Sequence, residues 1–87
     1  MGARVLMYCT SACPFCQSAE RLLVEKGARI EKIRPDLEPA RRAEMMQRSG
    51  RRTVPQIWIG ERHVGGCDDL YALEREGKLD PLLEASP

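Results

Sequence analysis

Three of the four cysteines in this 87-residue chain fall within eight positions, in the stretch CTSACPFC from Cys9 to Cys16. Read as C-x-x-x-C-x-x-C, the stretch has the spacing with which radical S-adenosylmethionine enzymes hold a four-iron cluster. Read as CPFC alone, Cys13 and Cys16 form a pair of redox thiols and Cys9 is a bystander. Length separates the two readings. A barrel able to wrap a cluster and a nucleoside cofactor needs ~200 residues or more, whereas 87 residues make a single domain spanning 1–87 with no room for a second core. The dithiol reading is therefore preferred. A thiolate attacks a disulfide and a thiol does not, so Cys13 needs surroundings that favour the anion. A helix terminus at the surface supplies only ~0.3–1 kcal/mol. The N–H groups of Phe15 and Cys16 and the Cys16 thiol would have to add hydrogen bonds to the anion. Cys16, one turn further on, is then the resolving thiol. C-x-x-C also occurs in zinc sites. Zinc wants further ligands, and only Cys9, Cys67 and His63 remain as cysteine or histidine candidates, so a structural zinc site is the minor reading and no metal is expected.

The elements that must place these thiols can be read from periodicity. Arg4 to Tyr8 is a short apolar run suited to a buried strand. From Pro14 to about Glu25, Ala19, Leu22 and Leu23 fall at helical spacing, with Pro14 in the first turn and Gly27 as the stop. Cys13 is thus set at a helix N-terminus. Ala28 to Ile33 reads as a second strand ended by Pro35, and Glu38 to Arg48 as a second helix with Ala40, Ala43, Met45 and Met46 on one side, closed by Ser49-Gly50. Gln56–Ile59 and Arg62–Val64 form a hairpin about Gly60-Glu61. Asp68-Asp69 open a third helix that Gly77 ends, and Leu79 to Glu84 add a last helical turn or two. The order β-α-β-α-β-β-α predicts an α/β fold, a small four-stranded mixed sheet with helices on both faces.

Composition narrows the partners. Fourteen Lys and Arg against thirteen Asp and Glu leave a formal charge of +1, too little field to bind nucleic acid or an anionic membrane. No apolar run approaches the ~20 residues of a membrane span, and MGARVLMYC lacks the charged, apolar and small segments of a secretory signal. The expected location is the cytosol, where closely spaced cysteines are more often catalytic or metal-binding than structural.

CPFC at a strand-to-helix turn, TVPQIWIG at Thr53 to Gly60, and HVGGCDDLYAL at His63 to Leu73 together resemble the glutaredoxins, and the short bacterial dithiol type in particular. The resemblance runs from Val5 to Leu83. It implies a thioredoxin-like fold and a glutathione-dependent thiol-disulfide oxidoreductase. No cofactor is permanently bound, and glutathione is the reducing co-substrate. Cys13 would attack a protein disulfide or a glutathionylated cysteine. In a dithiol route Cys16 releases the substrate; in a monothiol route a second glutathione frees Cys13. The further partners implied are disulfide-containing or glutathionylated proteins, ribonucleotide reductase among them by family habit, with the chain acting as a monomer. Pro55 matches the family's cis-proline, which would set the open backbone of Val54 beside the sulfurs.

Glutathione is a short extended peptide with two carboxylates and one ammonium, so an exposed backbone edge at Val54 can pair with its centre. The N–H groups of Cys67 and Asp68 would meet the γ-glutamyl carboxylate and Asp69 its ammonium, with Arg51 at the other end on the glycyl carboxylate. Thr53 and the aromatic wall of Phe15 complete the expected groove. Two positions depart from the family. Thr10 stands where a lysine is common, which removes a cation that would favour the thiolate and leaves only a hydrogen-bonding hydroxyl. Phe15 stands where tyrosine is usual.

Other residues have plainer readings. Cys9 is an inert packing residue at a strand end, and Cys67 contributes its backbone, with no thiol chemistry indicated. Trp58, Met45 and Met46 are core; His63 is a surface residue; Arg48 and Arg52, like Glu20, Arg21 and Glu25, are solvated. Two other functions stay open at this level. Some relatives hold a two-iron cluster between subunits through the first cysteine of the motif and glutathione. A thioredoxin substitute would be fed by a reductase.

Overall fold

A computed structural model describes residues 4–85; the first residues of the stretch weighed for targeting, and the ends of the 1–87 domain, lie outside them. The elements are β1 (Arg4–Tyr8), α1 (Pro14–Glu25), β2 (Arg29–Ile33), α2 (Pro39–Ser49), β3 (Gln56–Ile59), β4 (Arg62–Gly65), α3 (Cys67–Arg75) and α4 (Leu79–Ala85). β2 runs parallel to β1, and β3 is antiparallel to both β1 and β4, giving the sheet order β2-β1-β3-β4. The mixed sheet is therefore split: a parallel βαβ half carries the CPFC turn, and an antiparallel hairpin leads into α3.

Strand alternation sorts the core into two layers. Val5 and Met7 of β1 and Ile57 and Ile59 of β3 pack with Cys16, Ala19, Leu22 and Leu23 of α1, Leu70 of α3, and Leu79 and Leu83 of α4. Tyr8 and Trp58, one residue out of phase, meet Ile33 and Met45 on the other face, beneath α2. Each fully buried leucine or methionine contributes roughly 1.5–3 kcal/mol by leaving water. Gly27 and Gly50 end α1 and α2 at φ 78° and 73°, a left-handed backbone that a Cβ would resist.

The sheet-facing side of α2 differs from the sequence expectation. Met45 is fully buried, but Ala40 and Ala43 are exposed. The helix turns Glu44 and Arg48, one turn apart, toward the sheet. Tyr8 Oη donates to Glu44, Arg48 Nη1 donates to Tyr8 Oη at 3.1 Å, and the Arg48 guanidinium lies 4.4 Å from the centre of the Trp58 ring. Arg48 is thus not merely solvated: its long arm crosses to an aromatic face that two alanines could not reach. His63 is likewise no plain surface residue. It is half-buried, stacks on Trp58 with ring centres 4.5 Å apart, and meets Gln56 Oε1 at 2.8 Å. Burial, followed by the Arg51 charge, holds its imidazole below the ordinary histidine range.

Candidate active site

Cys13 is the N-cap of α1, with Pro14 in the first turn fixing φ and lacking an N–H that would otherwise be left unpaired. The Cys16 N–H, free because no residue precedes it by a helical turn inside α1, donates to Cys13 Sγ at 3.2 Å. The Cys13 thiol in turn faces the Val54 carbonyl at 3.8 Å. The sulfur is therefore held between a donor that suits an anion and a carbonyl that only a thiol can satisfy. Cys16 lies deeper, 3% exposed. Burial, and next its bond to Cys13, push its thiol up to about 12. Both thiols are buried, but Cys13 stands at the helix end and receives the Cys16 N–H while Cys16 is the one held protonated, an asymmetry that suits different chemistry at each.

Beside Cys13 lies a groove of about 270 Å³ lined by Phe15, Arg51, Thr53, Val54, Pro55, Gly66, Cys67, Asp68 and Asp69. Three segments distant in sequence form it. Phe15, 63% exposed, stands as one wall. The Val54-Pro55 peptide is cis, so the chain turns at the sheet edge and leaves Val54 outside the ladder that begins at Gln56. The start of α3 closes the far side, where the N–H groups of Cys67 and Asp68 have no acceptor within the helix. Burial pushes the Cys67 thiol up, followed by the nearby Asp68 charge, so its sulfur is a poor nucleophile in this setting.

Arg51 and Asp69 are not at opposite ends. Arg51 Nη1 donates to Asp69 Oδ2 at 2.9 Å, and the same oxygen accepts the Gly66 N–H at 2.9 Å. The Arg51 bond first, and the Gly66 N–H second, hold the Asp69 carboxyl below the usual carboxylate range. Thr10 is absent from the groove. It borders a second cleft with Cys9, Ser11, Cys16, Gln17, Glu20, Lys32 and Arg34. The two-residue turn at Ser11-Ala12 separates it from Phe15. Cys9, 6% exposed, packs in the main core and has its thiol pushed up by burial. Among the described residues, no group of three His, Cys, Asp or Glu side chains is arranged to hold a metal ion. No helix among them is long and apolar enough to cross a membrane.

The family model that matches the chain, over residues 5–64, is that of the glutaredoxins. The chain belongs to the glutaredoxin family. It is 57% identical over 81 residues to a glutaredoxin of Pseudomonas aeruginosa, covering 93% of this chain and 96% of that one. To glutaredoxin 3 of Escherichia coli K12 it is 51% identical over 82 residues, covering 94% and 99%. The solution structure of a Brucella melitensis glutaredoxin superposes with a TM-score of 0.84 at 55% identity, over 95% of this chain and 90% of that one. A crystal structure of a buckwheat glutaredoxin in complex with glutathione gives 0.84 at 36% identity, over 91% and 74%. The thioredoxin-like fold and the glutathione-dependent thiol-disulfide oxidoreductase activity are those of this glutaredoxin. The cluster-binding alternative is not favoured. The second cysteine of the motif is present, and its N–H donates to Cys13 Sγ.

What the sequence did not reveal is the layer behind the groove. Gly66 lines it, and Gln56 and His63 lie bonded together beneath Thr53. A signal for Gln56 was present: it is the polar opening of QIWI, a strand buried at all four positions.

Proposed function

We propose that this glutaredoxin, one domain acting as a monomer in the cytosol, uses Cys13 as nucleophile and Cys16 as resolving thiol. It would reduce glutathione mixed disulfides and protein disulfides held against the groove. The observation that carries the reading is the unequal pair: Cys13 at the helix end receives the Cys16 N–H, while Cys16 is buried and held as a thiol. Cys13 as thiolate attacks the glutathionyl sulfur of a mixed disulfide. A Cys13-glutathione disulfide forms and the target leaves as a thiolate, which a proton from solvent neutralises. A second glutathione thiolate then attacks the glutathionyl sulfur bound to Cys13, releasing oxidised glutathione and restoring the Cys13 thiolate. With a protein disulfide, Cys13 forms the mixed disulfide first. Cys16 gives up its proton to the departing thiolate and attacks the Cys13 sulfur, closing Cys13-Cys16, and two glutathiones reopen it.

For the glutathione itself, the groove offers Val54 as a backbone edge, Phe15 as a wall, Thr53 and Pro55 as floor, and the N–H groups of Cys67 and Asp68 for a carboxylate. The buckwheat complex supports glutathione as the occupant of such a groove. The Arg51-Asp69 pair would exchange partners on binding, its guanidinium turning to a ligand carboxylate and Asp69 to the ammonium.

The test is to trap the intermediate. Cys16→Ser treated with oxidised glutathione should gain one glutathione, located by peptide mass on Cys13. Recovery of the adduct on Cys9 or Cys67 instead would refute the assignment.

A further inference from the structure

Gln56 is the one polar side chain, apart from the Tyr8 hydroxyl, that is fully buried among the described residues. A leucine at this position would avoid the cost of taking an amide from water. Both ends of the amide are nevertheless bonded. Nε2 donates to Thr53 O at 3.0 Å and to Thr53 Oγ1 at 3.3 Å, and Oε1 lies 2.8 Å from His63 Nε2. Only the NH2 end of an amide can serve a carbonyl, so Oε1 must face the histidine, and His63 Nε2 must carry the donated proton. His63 is itself stacked on the buried Trp58. The orientation of the amide is therefore fixed from the sheet.

Thr53 O and Val54 N–H belong to one peptide unit. That unit is trans, since the one cis bond is Val54-Pro55, so the two groups point in opposite directions. With Thr53 O drawn inward by Gln56, Val54 N–H is turned away from the interior, on the segment that lines the groove. Among the described residues no other donor holds Thr53 O.

We propose that Gln56, oriented by His63, is a positioning residue that aims the Val54 N–H into the groove and so sets the affinity for the glutathionyl part of the substrate. The inference rests on the groove reading above, in which the Val54 backbone pairs with glutathione. Without Gln56 the Thr53-Val54 peptide is free to rotate, and the ligand loses a donor fixed in advance.

The test uses one short peptide carried as two mixed disulfides, one with glutathione and one with cysteamine, and the substitution Gln56→Met, which keeps the volume and removes both bonds. KM for the glutathionylated peptide should rise about five- to tenfold, the scale of one hydrogen bond. kcat, the cysteamine substrate and the rate of Cys13 alkylation by iodoacetamide should stay within about twofold. His63→Leu, which leaves the amide in place but unoriented, should shift the same KM in the same direction by less. If Gln56→Met does not fold, His63→Leu decides by the same criteria. An unchanged KM, or equal losses on both substrates, overturns the positioning role. A wild-type chain that shows no preference for the glutathionylated peptide overturns the groove reading, and this inference with it.

Discussion

Arg51 and Asp69, eighteen positions apart in sequence, close a 2.9 Å ion pair beside the groove, and the backbone of Gly65 passes directly against it. Gly65 has φ 116°, and a Cβ there would run into the Asp69 carboxylate and approach Arg51 Nη1 at 3.1 Å. Gly65→Ala should therefore both strain the backbone, at about 1–3 kcal/mol, and drive the pair apart. Denaturant unfolding should show the loss of stability, and KM for glutathione should rise. Arg51→Ala separates the two effects. The pair is about half exposed, so stability should change by no more than ~1 kcal/mol while KM still rises. An Arg51→Ala protein with unchanged KM would leave the guanidinium with no part in binding.

Acid should act through carboxylates held low in the folded state. Asp69 is held there by Arg51 and then by the Gly66 N–H, Glu44 chiefly by the Tyr8 hydroxyl. Depressed folded values contribute stability that is present above the unfolded carboxyl value of about 4 and is lost as pH falls through the folded value. The carboxylate share of the unfolding free energy should thus hold steady down to about pH 4 and decline below it, on top of a loss that begins below about pH 6.5 because the His63 imidazole is also held low in the folded chain. Asp69→Asn should flatten part of that decline. A variant that falls as steeply as the wild type would remove Asp69 from the account.

Alkali should act through Cys16. Its thiol is pushed up to about 12 in the folded chain, against about 8.5 when unfolded. The contribution is fully present below the unfolded value and is lost as pH rises toward the folded one. Cys16→Ser should therefore lessen the destabilisation seen on going above about pH 8.5. At pH near 8, iodoacetamide should label Cys13 and leave Cys16 unlabelled, read by peptide mass mapping.

On the far face of the sheet, where Gln56 and His63 also lie, the Tyr8 hydroxyl should serve stability and not binding. Tyr8 is fully buried, with its hydroxyl shared between Glu44 and Arg48. Tyr8→Phe should cost about 1–3 kcal/mol, since it leaves a charge-assisted bond unmade. KM for glutathione should not move. A matching rise in KM would show that this cluster reaches the groove.

Much of the site could be read from local pattern, because its chemistry is set by local structure. The CPFC turn with Pro14 in the first helical turn, and the apolar spacing of Ala19, Leu22 and Leu23, place Cys13 at the N-terminus of α1. What could not be read depends on tertiary meetings. Ala40 and Ala43 look like a helix face, yet Glu44 and Arg48 face the sheet because Tyr8 and Trp58 wait there with a hydroxyl and a ring. Thr10 lies three residues before Cys13, but the Ser11-Ala12 turn sets it on the Cys16 side, in the other cleft. Arg51 and Asp69 were legible singly as charges that suit a zwitterion. Their bond to each other follows from the start of α3 lying against the loop before β3, which no spacing records.

The most direct test of the account is the glutathione-coupled reduction of a small glutathionylated disulfide by the wild type, Cys16→Ser and Cys13→Ser. The wild type should be active. Cys16→Ser should keep this activity while losing the reduction of protein disulfides, and Cys13→Ser should lose both. Retained deglutathionylation in Cys13→Ser would contradict the central claim that the sulfur held by the Cys16 N–H is the nucleophile.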